Sequence, residues 1–160
     1  MPVFNLQTED PLVATNFFLT IDSNVVVNLT SVDGLTMEIE ATDVNQRTEK
    51  GVLVQHRAMS KPKYTGQLTL KRLAPLDATS DEMWKWFMSI RNGGMKATQR
   101  VGQRKNGGIS IYDSSMIMTA SWSFTGSWPS KIETEGLDVT KNDPVAETIT
   151  LQYETLTRTK

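Results

Sequence analysis

The sequence contains no cysteine and only one histidine. The first absence removes disulfide scaffolds, cysteine nucleophiles, iron–sulfur clusters and thiolate zinc sites together. The second leaves too little imidazole for a multi-histidine metal site, and His56, between Gln55 and Arg57 in a polar stretch, is expected to be exposed rather than to serve as a base or pH switch. Basic excess is also missing, since 17 Lys and Arg face 18 Asp and Glu, which argues against a dedicated nucleic-acid binder. No apolar run approaches a membrane span, and Met1 to Asn5 lack the basic and apolar regions of a secretory signal. The expectation is a soluble cytoplasmic protein. With no internal repeat and no low-complexity linker, the 160 residues read as one domain, 1–160, long enough to bury a core.

Catalytic and cofactor motifs are equally scarce. The run Arg100 to Gly108 contains glycine and basic residues, yet it lacks the Gly-Lys-Ser/Thr ending of a phosphate loop and no helix follows it. Glu133 and Glu135 share a strand face, but paired-carboxylate chemistry needs two acids in unlike environments across a cleft, and the pattern here is that of a solvated acidic edge. No acidic loop of the Asp-x-Asp-x-Asn-Gly type is present to cage a cation. The sequence therefore offers no catalytic, cofactor-binding or metal-binding set, and an enzyme is not expected.

What is abundant is two-residue alternation, the signature of strands with one dry face. Leu35, Met37 and Ile39 alternate with Thr36, Glu38 and Glu40, and Leu68 and Leu70 with Gln67, Thr69 and Lys71. Met118, Ala120, Trp122 and Phe124 share one face, as do Ile149, Leu151 and Tyr153. Phe17 to Ile21 and Ile109 to Tyr112 are further strand candidates, the first entering a turn at Asp22-Ser23-Asn24. One segment changes period: in 80–91 the apolar Met83, Trp84, Phe87 and Ile90 recur at helical spacing, with a capping box from Thr79 and Glu82 and a stop at Asn92-Gly93-Gly94. Its aromatic stripe is expected to lie against the sheet. Residues 41–64 and 94–108, the latter with Lys96, Arg100, Arg104 and Lys105, read as long loops. Charge is also segregated: residues 47–72 are basic and residues 133–154 acidic, so two copies could meet head to tail, although solvated faces of a monomer would give the same pattern.

The last forty residues carry a more specific pattern: Trp122-Ser-Phe-Thr-Gly-Ser-Trp128-Pro129-Ser-Lys131, then Gly136-Leu137-Asp138, then Asn142-Asp143-Pro-Val145-Ala146-Glu147-Thr-Ile149-Thr-Leu151-Gln-Tyr153-Glu154. The front half adds Phe17-Phe18-Leu19-Thr20-Ile21-Asp22, Ser31-Val32-Asp33-Gly34-Leu35, and Leu68-Thr69-Leu70-Lys71-Arg72 ahead of a helix with Trp84 and Trp86. In this order they resemble the tail tube, or inner tube, proteins of contractile phages and contractile injection systems over nearly the whole chain. Lys61-Pro62-Lys63 stands where the family often carries Pro-Gly, and Leu73 where a glycine often follows the Lys-Arg.

The resemblance implies a mainly β fold, an antiparallel β-sandwich or barrel-like domain with one flanking helix at about 80–91 and an extended hairpin loop at about 41–64. It implies homohexameric rings whose strands join into a barrel around a lumen, stacked head to tail into a tube that sheath contraction drives through a target envelope. The implied partners are other copies, the sheath, the baseplate and tube initiator, a terminator cap, and cargo of DNA or effector proteins. Assembly would take place in the bacterial cytoplasm, in a phage virion or an injection particle that stays inside or is released. A wet lumen needs polar strand faces, so Thr36, Glu38, Glu40, Gln67, Thr69 and Lys71 are the lumen candidates. Arg47, Lys50, Arg57, Lys61 and Lys63 would meet Glu133, Glu135 and Asp138 between subunits or rings. The competing reading is a monomeric β-sandwich carbohydrate-binding module with Trp122, Trp128 or Tyr153 as a stacking platform.

Overall fold

The computed structural model describes residues 16–64, 66–93 and 101–160. Among these residues ten strands and one α-helix follow one another: β1 (Asn16–Ile21), β2 (Val25–Asn28), β3 (Ser31–Asp33), β4 (Met37–Arg47), β5 (Leu53–Tyr64), β6 (Gln67–Leu73), α1 (Glu82–Gly93), β7 (Lys105–Tyr112), β8 (Met118–Thr134), β9 (Ala146–Gln152) and β10 (Thr155–Arg158), with a short 3-10 turn at Val101–Gln103 before β7. The strands of the body run in the order β2-β1-β7-β8-β9-β6-β3, with β10 also on β8, and all pair antiparallel. The 17-residue β8 joins the two halves: up to Ser127 it pairs with β7, and from Trp128 onward with β9. The fold is thus mainly β with antiparallel sheets and one helix, as the alternation and the resemblance imply.

Alternation decides what the body buries. Leu19, Ile21, Ile109, Phe124 and Leu156 from one half meet Leu68, Leu70, Ile149 and Leu151 from the other in a single cluster. Phe124 is completely buried, and the close packing explains a glycine that looked like part of a phosphate loop. A Cβ on Gly107 would stand 2.5 Å from the Thr20 carbonyl oxygen and 2.8 Å from the Phe124 ring, so only glycine lets β7 lie against both. Lys105 to Gly108 accordingly belong to β7 and not to a loop, while Lys96 and Arg100 lie outside the described residues.

The helix differs from its expected form in two details. Its cap is Asp81, not Thr79: the Trp84 amide donates to Asp81 Oδ2 at 3.0 Å, while Thr79 donates from its amide and hydroxyl to Asp77. Two donors close to the Asp77 carboxylate satisfy Thr79 first, so the box with Glu82 does not form. On the inner face Met83 and Trp86 are buried while Trp84 is only half-buried. The Trp86 ring is fixed by a hydrogen bond from its indole N–H to the Gln103 carbonyl at 2.7 Å.

The largest departure concerns residues 37–64. Composition reads 41–64 as a loop, whereas the resemblance implies an extended hairpin there; β4 and β5 form that hairpin, pairing from Met37↔Tyr64 to Arg47↔Leu53 with one bulge between Ile39 and Ala41. Because opposite residues share a face, one face carries Met37, Ile39, Met59 and Tyr64, and the other Glu38, Val44, His56 and Lys63. Both faces are open to solvent, so the dry side expected for Leu35, Met37 and Ile39 exists only at Leu35, which packs on the core. Short strands β2, β3 and β10 had too few alternating residues to be noticed in the sequence. At the root of the ribbon Gly34 has φ +97°, and a Cβ there would sit 2.5 Å from the Gln67 carbonyl oxygen, which holds the turn into β4 tight against the start of β6.

Candidate assembly interface

The outward face of β8, β9, β6 and β3 is polar over its central rows, between Leu73 and Ala146 at one end and Trp128 at the other. Register places Lys131, Thr150, Thr69 and Asp33 in one row and Glu133, Thr148, Lys71 and Ser31 in the next, with Gln152 beside Gln67 at the end. Two ion pairs tie the rows: Lys71 Nζ to Glu135 Oε1 at 2.8 Å, and Lys131 Nζ to Glu133 Oε2 at 2.7 Å. The hydrogen bond and then the charge of Glu135 hold the Lys71 proton more tightly than usual, and Lys131 does the reverse for Glu133, whose carboxyl lies below its ordinary range. The face is wet yet locally neutralised. Gln67, Thr69 and Lys71 lie together on it, whereas Thr36 sits just before β4, and Glu38 and Glu40 lie within it in a separate two-stranded sheet.

The ribbon carries the basic candidates. Arg47 ends β4, Lys50 lies in the tip, and Arg57, Lys61 and Lys63 follow along β5. Arg57 faces Asp43 at 3.5 Å. The tip is closed by the Gly51 amide to the Thr48 carbonyl at 2.8 Å and the Thr48 amide to the Val52 carbonyl at 2.9 Å. Acidic candidates lie elsewhere: Glu133 at the end of β8, Glu135 just beyond it, and Asp138 in the connection to β9, where its carboxylate accepts from the Thr140 amide and hydroxyl and is held below its usual range. Within one chain the ribbon cations and these acids do not meet.

A third feature is absent from the sequence expectations. Arg72, next to Lys71 on β6, points inward and is buried. It grips Asp81 with two parallel bonds, Nη1 to Oδ1 at 2.9 Å and Nη2 to Oδ2 at 2.7 Å, and reaches Glu147 Oε2 from Nη2 at 3.1 Å. The Trp84 indole donates to the other Glu147 oxygen at 3.1 Å. Burial alone would push Asp81 up, but the Arg72 and Trp84 hydrogen bonds and the Arg72 charge outweigh it and hold the carboxyl below its ordinary value. The cluster joins a helix cap to two neighbouring strands. The usable signal was the strict alternation Leu68, Leu70, Arg72, which places Arg72 on the inner face.

Residues 13–157 match the family described as T4-like virus tail tube protein gp19. The chain belongs to this tail tube family. It is therefore a structural subunit of a tube. Among solved structures, the fold resembles a chain of the sheath–tube complex of the extracellular contractile injection system PVC in the extended state, with 19% identity, TM-score 0.64, and 94% of this chain and 93% of that one covered. A chain of the PVC sheath/tube terminator gives 18% identity and TM-score 0.72 over 96% and 99%. Hcp1 from Flavobacterium johnsoniae gives 13% identity and TM-score 0.53 over 90% and 94%. No curated protein matches the sequence.

The tail tube assignment is consistent with the two sites that suggested other functions. The stacking platforms are occupied: the Arg104 guanidinium lies 4.7 Å from the Trp128 ring centre, Arg158 covers Trp122 at 5.4 Å, and Tyr153 is buried. The sugar-binding alternative has no support. Glu133 and Glu135 are each engaged by a lysine on an open face, which lacks the unlike environments an acid–base pair requires. The family role is structural. No helix among the described residues is long and apolar enough to cross a membrane.

Proposed function

We propose that this tail tube subunit closes into hexameric rings that stack head to tail into a hollow tube, surrounded by a sheath and bounded by a baseplate with its initiator and a terminator cap. The tube would conduct DNA or effector proteins and be assembled in the bacterial cytoplasm. The observation that carries the reading is the ribbon. Met37, Ile39 and Met59 are exposed in the single chain, Met59 to 89%, on a strand pair with open edges. Such a surface is an aggregation hazard for a monomer, and pairing it with a neighbouring subunit removes the hazard. Barrel closure between chains satisfies the edge of β3 in the same way.

On this reading the polar rows of β8, β9 and β6 line the lumen with Gln67, Thr69 and Lys71, and the root of the ribbon adds Thr36, Glu38 and Glu40. Arg47, Lys50, Arg57, Lys61 and Lys63 lie between subunits or rings, toward Glu133, Glu135 and Asp138 of neighbours. Negative-stain electron microscopy with light scattering over a concentration series tests the assembly. Rings of six-fold mass and hollow tubes are the expected result. Strict monomers at every concentration, also in the presence of a tube initiator, would overturn it.

A further inference from the structure

The chain treats the cations of its ribbon and of its body face differently. On the ribbon Arg47, Lys50, Lys61 and Lys63 make no ion pair within the chain, among the described residues. On the outward face of β8, β9, β6 and β3 both cations of the central rows are paired, Lys71 with Glu135 at 2.8 Å and Lys131 with Glu133 at 2.7 Å. Asp33, in the row of Lys131, adds a third carboxylate, and its charge also acts on Lys71. The rest of these rows is made of the hydroxyls of Ser31, Thr69, Thr148 and Thr150 and the amides of Gln67 and Gln152. Two lysines thus stand among three carboxylates, and the rows offer no uncompensated cation.

Folding does not require the two pairs. All four side chains are 47% to 62% exposed, and an ion pair in such a position contributes little to stability. What it changes is the potential that a passing charge meets. An ammonium with a carboxylate against it presents a dipole, whose field falls off faster than that of a lone charge and is further screened by salt. Without the glutamates, strand spacing would leave two bare ammonium groups on the order of 10 Å apart, with β9 between them. Nucleic acid binds such groups through its phosphates and gains by releasing counterions. Repetition of the two lysines on every copy of a tube would multiply that hold.

We propose that Glu135 and Glu133 are specificity residues of this face: by engaging Lys71 and Lys131 they keep it from holding nucleic acid, so that polyanionic cargo moves along it without being retained. The placement of the face on a lumen rests on the tube reading, whereas the masking is a property of the single chain. Hydroxyls and amides are left to meet the cargo, and uncharged groups release no counterions. Both acids act inside their own chain, before any neighbour arrives.

Binding of a fluorescein-labelled DNA duplex to the unassembled chain, followed by anisotropy over a salt series, tests the masking. Glu133→Gln with Glu135→Gln should bind more tightly than the native chain, and its slope of log K against log salt should be steeper by about 2, one counterion for each freed lysine. A control with the same change in net charge, Glu49→Gln with Asp143→Asn, removes acids that make no ion pair among the described residues and should keep the native slope. Adding Lys71→Gln and Lys131→Gln to the first variant should restore the native slope. A first variant that behaves as the control does, or that keeps its steeper slope after both lysines are removed, would overturn the proposal. In tubes verified by electron microscopy, the first variant should sediment with a short single strand that native tubes leave in solution, and equal retention by both would overturn the passage of cargo that the masking implies. If the native chain makes neither rings nor tubes, the tube reading fails, and the single-chain measurement still decides the masking.

Discussion

The body and the ribbon use similar side chains to opposite ends. In the body, Leu68, Leu70, Ile149 and Leu151 alternate with polar residues and are completely covered. In the ribbon, Met37 and Ile39 alternate in the same way with Glu38 and Glu40 and are left open. Neither strand pair is short of hydrogen bonds internally. The difference lies in what stands opposite: the body strands face a second half-sheet and α1, whereas the ribbon is joined only to itself. The body is therefore where the stability of the single chain resides, and on the proposed function the ribbon is where contact with another copy would add to it.

The sharpest way to break this contrast is at Arg72. Replacing it with methionine leaves the buried Glu147 and the part-buried Asp81 carboxylates without their shared partner. Breaking a buried ion pair from one side costs about 3 to 5 kcal/mol, equivalent to a fall in Tm of roughly 6 to 20 °C in a domain of this size. Thermal unfolding of the disassembled protein measures it, and an unchanged Tm would mean that the cluster does not hold the body together.

A smaller effect should follow from acid. The folded-state value for Asp81 lies below the ordinary 3.8. A lowered carboxyl contributes stability that is fully present above the unfolded value and is lost as pH falls through the folded one. Denaturant midpoints should therefore be independent of pH near neutrality, where the Asp81 contribution is fully present, and decline below about pH 4, and Asp81→Asn should flatten that decline. An equally steep acid limb in the variant would assign it to other carboxylates.

The smallest change in the isolated chain is expected on the ribbon. Met59→Ser alters an exposed residue and should move monomer stability by no more than about 0.5 kcal/mol, yet it removes apolar area that the assembled form would bury. Sedimentation of the assembled fraction, set beside the monomer unfolding curve, separates the two. Loss of monomer stability without loss of assembly would reverse the roles given to body and ribbon.

Part of the candidate face was legible in the sequence because strand period is local. Gln67, Thr69 and Lys71 were assigned to one wet face from alternation alone, and they share that face with Thr148, Thr150 and Gln152. The ribbon was harder to read. Its apolar residues are sparse beyond Ile39, the bulge interrupts the pairing, and a strand exposed on both sides has no burial pattern to announce it. Arg72 and Asp81 are nine positions apart and Glu147 is 75 positions from Arg72, so no window of sequence contains the cluster.

By itself the sequence determined which residues share a strand face in the body, where the helix α1 lies, that no cysteine chemistry is available, and the collinear motifs of a tail tube subunit. The tertiary structure alone decided which of those faces is covered. Pairing of β6 with β9 buries the Arg72 side and exposes the Lys71 side, and the absence of a facing layer leaves the ribbon open. The physical reason is that periodicity is written in neighbouring residues, whereas burial depends on which distant strands pair and on what packs against them.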